Sequence, residues 1–112
     1  MIEGMNMGGC LVSKNILDGK GKVKWCFKGP SAHELDNGWR FLSEIDTEEF
    51  LAVAENMVIC DWGTIFEIEP AVDLIYDMPV GTEVTLVRRG NKRGMYFVYT
   101  ETGEKVKFPG YE

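Results

Sequence analysis

The feature that most constrains this chain is the spacing of its apolar residues, which mostly alternate with polar ones in short runs cut by glycine-containing turns. The clearest run is Lys22-Val23-Lys24-Trp25-Cys26-Phe27-Lys28. Period-two alternation there predicts a strand with Val23, Trp25 and Phe27 on one face, and so places Trp25 in the core. A short strand, Cys10-Leu11-Val12-Ser13, precedes it, and Asp18-Gly19 with Gly21 supplies a hairpin-like reversal between the two. Gly29-Pro30-Ser31 opens an irregular loop, and a turn at Asp36-Asn37-Gly38 leads into a strand over residues 39–43. Helical spacing occurs in one stretch: Asp46 as N-cap, Glu49 reaching back, and Phe50, Leu51, Val53, Ala54 and Met57 recurring on one side predict an amphipathic helix over residues 47–56.

Beyond it, Val58-Ile59-Cys60 and Ile65-Phe66-Glu67-Ile68 read as strand pieces on either side of Asp61-Trp62-Gly63-Thr64. Pro70 suits the first turn of a short helix ending near Tyr76. Residues 83–88, a turn at Gly90-Asn91, residues 95–100, a turn at Gly103 and residues 105–108 form an antiparallel meander. Strands on both sides of one main helix predict an α+β fold: a mostly antiparallel sheet packed with that helix and a second short one. The strand order is left open.

A chain of 112 residues encloses one core, so residues 1–8 are expected to be a flexible N-terminal segment and residues 9–112 a single domain. With 45% hydrophobic and 27% charged residues it has the balance of a chain that folds on its own. Met1 to Gly9 lack a basic stretch followed by an apolar core, and no apolar run approaches a membrane span. Cys10, Cys26 and Cys60 are odd in number and sit among strand-like neighbours, as buried thiols do. A cytoplasmic location, with no membrane association, is the expectation. The net charge of −6 repels nucleic acid and fits a basic protein partner.

The residues that carry chemistry do not converge in the sequence. His33 is the single histidine and no cysteine pair has CxxC spacing, which argues against a metal site or a serine-type triad; no cofactor is expected. Pairing one thiol with His33 as a nucleophile is a formal option set against inert core cysteines. Gly19-Lys20-Gly21-Lys22 lacks Walker spacing and precedes a strand, so a turn explains it better than a phosphate cradle. Glu67 and Glu69, two apart on the expected strand, would share a face as paired carboxylates or as a solvated surface. Arg88, Arg89, Lys92 and Arg93 gather positive charge at a hairpin tip.

The most informative positions are Trp39-Arg40 after the Asp36 turn and Asp61-Trp62 at the strand break. Tryptophan and arginine beside acidic residues anchor interfaces; equally, tryptophan is usually buried and Arg40 paired with Asp36 or Asp61 would fix a loop.

Taken in order, Ser13-Lys14-Asn15-Ile16-Leu17, Gly19 to Trp25, Asp36, Gly38-Trp39-Arg40-Phe41, and Asp61-Trp62 followed by Ile65 and Glu67-Ile68 resemble the bacterial immunity protein 33 family over roughly residues 10–108. Gly63 stands where some relatives carry asparagine after the Asp-Trp pair. The resemblance implies an α+β immunity protein that binds and neutralises a cognate bacterial toxin without turnover, with Asp36, Trp39, Arg40, Asp61 and Trp62 forming or supporting the contact surface.

Two other classes stay open. One is a small-ligand module in which the tryptophans line a pocket and Arg40 holds an anionic group; a deep pocket beside Trp39 would favour it. The other is an enzyme using Asp36, Asp61 or Glu67, which needs at least two of them to converge. Monomer and dimer are not distinguished, although edge strands of the meander would permit pairing.

Overall fold

A computed structural model describes residues 7–88 and 94–108. The elements run β1 (Gly9–Ser13), α1 (Lys14–Leu17), β2 (Val23–Lys28), β3 (Asp36–Ser43), α2 (Glu48–Leu51), a 3-10 turn (Ala54–Asn56), β4 (Met57–Asp61), α3 (Trp62–Ile68), a 3-10 helix (Pro70–Ile75), β5 (Glu83–Arg88) and β6 (Met95–Tyr99). The strands form one sheet in the order β4-β1-β3-β2-β5-β6. Among the described residues only β1 and β3 pair in parallel; the other neighbours are antiparallel, which gives the α+β class expected.

One face of the sheet carries the core. Cys10 and Val12 of β1, Trp39 and Phe41 of β3, Val84 and Leu86 of β5 and Phe97 of β6 are buried there beneath Trp62 and Ile65 of α3 and Val72 and Ile75 of the 3-10 helix. Aromatic rings run through its centre: Trp39 stacks on Phe41 at 5.9 Å, Phe41 meets Trp62 at 5.8 Å, and Trp62 meets Tyr76 edge-on at 4.8 Å.

Several local expectations are corrected. The register of β2 against β3 shifts between Val23 and Trp25, so Val23 and Cys26 are buried while Trp25 is half-buried and Phe27 exposed. One irregular residue in a strand reverses every face after it, which is why simple alternation put Trp25 in the core. The glycines at 19–21 do not close a hairpin, because α1 follows β1 directly and β3 lies between β1 and β2.

The helix expected over residues 47–56 is a single α-turn and a 3-10 turn with no buried residue in either. Helices of this length form where they bury an apolar stripe; here Asn56 Nδ2 donates to Phe50 O at 2.8 Å and ties the first turn off. The N-cap is Thr47, whose Oγ1 accepts from Phe50 N. Asp46 instead accepts from Ser13 and Ser43 Oγ, Ser43 N and Asn15 Nδ2 at 2.6–2.9 Å, joining β1, α1 and β3.

Residues 65–68 are the end of α3 and not a strand, since Trp62 and Ile65 share the buried helical side. Glu67 is therefore exposed on a helix, while Glu69 is buried at the helix end and paired with Arg88 at 2.9 Å. The two carboxylates do not act as a pair. The turn expected at Gly90-Asn91, with Arg89, Lys92 and Arg93, lies outside the described residues.

Candidate functional site

The sheet face opposite the core carries Leu11, Trp25, Phe27, Arg40, Leu42 and Ile59, which are half-buried or exposed. Leu11 pairs across to both Ile59 and Arg40, and Phe27 to Arg40, so these side chains neighbour one another on that face. Over β4, β1 and the start of β3 it dips into a concavity of about 320 Å³ lined by Leu11, Leu35, Asp36, Arg40, Ile59 and Asp61, with Gly8, Gly9, Cys10, Ala32 and His33 completing the wall.

The wall is built by the backbone of the loop before β3. Gly9 N donates to Leu35 O at 2.7 Å and Asp36 N to His33 O at 3.0 Å, holding the loop against β1. His33 Nδ1 accepts from Leu35 N, so the single histidine serves the loop's own turn. Leu35 and Ile59 then stand at 56% and 70% exposure, two large apolar side chains facing solvent across one cavity.

Its polar element is Arg40, whose Nη1 and Nη2 donate to Asp36 Oδ1 and Oδ2 at 2.9 and 2.8 Å while Nη1 also donates to Trp39 O. Asp36 accepts in addition from Ala32 N at 2.7 Å and Gly38 N at 2.9 Å. The Arg40 guanidinium, helped by these backbone bonds, holds the Asp36 carboxyl well below the usual carboxylate range. Asp61, at the start of α3, is exposed and makes no side-chain capping bond. Among the described residues the ion pairs are Arg40–Asp36 and Arg88–Glu69, which leaves Asp61 without one.

Three of the sequence candidates, Asp36, Arg40 and Asp61, thus meet at one concavity. Trp39 and Trp62 point the other way: they are 0% and 2% exposed, and their indole N–H groups donate to Tyr76 O and Asp73 Oδ1. Both lie in the core on the other face of the sheet. Leu11, Leu35 and Ile59 were not among the candidates. The run Val58-Ile59-Cys60 is apolar throughout, so its spelling does not say which residue faces out.

The geometry also bears on the rival classes. The cavity is not beside Trp39, and the end-on fork of Arg40, Nη1 and Nη2, is engaged by Asp36. Asp36 is committed to Arg40, and Glu67 lies outside the cavity. Among the described residues no cluster of three or more His, Cys, Asp or Glu is arranged to hold a metal. Burial pushes the Cys10 thiol up to about 12 and the Cys26 thiol further still, so neither supplies a thiolate near neutral pH. Among the described residues no helix is long and apolar enough to cross a membrane.

A family model, the Immunity protein Imm33 domain, matches residues 10–95. The chain belongs to this family. The Imm33 match runs from β1 to the first residue of β6 and takes in Leu11, Leu35, Asp36, Arg40, Ile59 and Asp61. Comparisons with curated proteins and with solved structures returned no match. The family therefore supplies the general role, an immunity protein with a toxin as its partner, and the Imm33 domain's own geometry must supply the surface.

Proposed function

We infer that this Imm33 domain neutralises a cognate toxin by binding it directly, in the cytoplasm of the cell that makes both, without catalysis. The observation that carries the reading is the concavity within the family match: exposed apolar walls from Leu35 and Ile59 around a rigid Arg40–Asp36 pair, with Asp61 at the edge. Interfaces rest on apolar and arginine anchors held in place before binding, and that is the composition of this surface. Asp36, Arg40 and Asp61 meet the partner, while Trp39 and Trp62 hold them in register from the core. The net charge of −6 suits a basic toxin over nucleic acid and speeds encounter by steering.

Affinity purification of the tagged chain from its producing cell, with mass spectrometry of what accompanies it, tests this. The expected result is one near-stoichiometric partner carrying a toxin domain, in a complex that weakens as salt rises. Recovery of the tagged chain without that toxin domain, from cells expressing both proteins, would contradict the reading.

A further inference from the structure

β4 is an edge strand of a kind that proteins seldom leave open. Its sequence, Met57-Val58-Ile59-Cys60-Asp61, has no proline or lysine, and among the described residues the strand pairs on one side alone, with β1. The other edge is covered: beyond β6, Val98 bridges to Lys105, Tyr99 N donates to Glu104 O at 2.8 Å and Val106 N to Phe97 O at 2.9 Å.

The phase of the β4 ladder follows from one bond. Trp62 N donates to Gly8 O at 3.0 Å, and hydrogen-bonded pairs alternate along an antiparallel ladder, so Cys60 and Val58 point their backbone groups at β1. Ile59 points its N–H and C=O outward and Asp61 its N–H, while Asp61 O, at the N-cap of α3, takes the first intrahelical bond; no strand lies outward of them among the described residues. These same two residues place their side chains on the concave face, Ile59 70% exposed and Asp61 without an ion partner. Outward backbone groups, an apolar side chain and a carboxylate thus fall in one register.

We propose that β4 is a docking edge that takes an extended segment of the partner protein as a seventh strand, with an apolar residue opposite Ile59 and a lysine or arginine opposite Asp61. Directly opposed residues in an antiparallel pair share a face, so the partner's pattern is an apolar and a basic residue two positions apart. The apolar side chain packs on Ile59 at the lip of the concavity, with Leu11 and Leu35 beyond it. Main-chain bonds supply affinity and the side-chain register supplies selectivity. The cationic choice follows from charge: Asp61 is the uncompensated charge of the wall, in a chain of net charge −6. The identity of the partner as a toxin rests on the proposed function; the docking edge does not.

The test uses the purified chain and a displayed library of random linear peptides. Selected peptides should carry the apolar-x-basic pattern, bind roughly tenfold more weakly to Asp61→Lys and to Ile59→Pro, and slow hydrogen exchange at the Ile59 amide roughly tenfold. Proline at Ile59 removes an outward N–H and leaves the β1 ladder bonded; if that variant does not fold, Asp61→Lys and the exchange measurement on the wild-type chain decide. Failure to select peptides, or peptides that ignore both substitutions and leave the Ile59 amide unprotected, would overturn the proposal. So would a dimer of the chain that protects this amide with no peptide present, which would give the edge to a second copy. A toxin that binds while the Ile59 amide exchanges as in the unbound chain defeats strand docking alone; peptides that dock while the toxin does not bind defeat the toxin reading alone.

Discussion

Arg40 and Asp36 meet through two parallel bonds of 2.9 and 2.8 Å although they are four residues apart on one strand, β3. In a regular strand that separation is roughly 13 Å. The gap closes because Gly38, at φ +92°, bends the backbone, and Asp36 accepts from Gly38 N as the chain turns. The site's polar element is thus a product of local backbone geometry.

Removing one partner strands a charge whose side chain is at most 15% exposed. Arg40→Ala and Asp36→Ala are each expected to cost about 1–3 kcal/mol in chemical denaturation at neutral pH, and the double variant less than the sum.

Acid should act through the same group. Because the folded Asp36 titrates below its unfolded value, its contribution is complete above about pH 4 and is lost as pH falls through the folded value. Asp46 behaves likewise: burial opposes its charge, but bonds from Ser43, Asn15 and Ser13 outweigh burial and hold the carboxyl low. Denaturation midpoints of the wild-type chain should fall between pH 5 and pH 2, and Asp36→Asn should flatten its share. An unchanged slope in Asp36→Asn would count against the pairing.

Gly38→Ala should destabilise by about 1–3 kcal/mol, since the residue sits at positive φ and a Cβ there would lie 2.4 Å from Gly29 O. Gly63→Ala, which meets nothing within 4 Å inside α3, is the control and should be neutral or stabilising by a few tenths of a kcal/mol.

Trp39→Ala and Trp62→Ala should each cost about 3–5 kcal/mol, comparable to the whole stability of a small domain, and lower toxin protection by unfolding. Thermal denaturation read beside binding separates this from a lost contact.

The strands β2, β5 and β6 were legible from alternation, β1, β4 and residues 39–43 of β3 as short runs beside turn signals, and the short helix after Pro70 from its first-turn proline. What escaped was set by contacts made at a distance. The bulge after Val23 turned Trp25 outward, and the lack of anything for residues 47–56 to cover left the strongest helical pattern as two separate turns. Pairing of Asp36 with Arg40 was open to sequence reasoning because the two residues are close in the chain. The apolar half of the concavity was not, since Leu11, Leu35 and Ile59 come from three separate segments that adjoin only when β1 enters between β4 and β3.

The most direct test of the central claim is calorimetric titration of the wild-type chain and of Asp61→Lys with the purified toxin domain made by the same cell. The account predicts a one-to-one complex that silences the toxin and weakens roughly tenfold or more with Asp61→Lys while the variant stays folded. No heat of binding to an active toxin domain, or equal affinity for both chains, would contradict it.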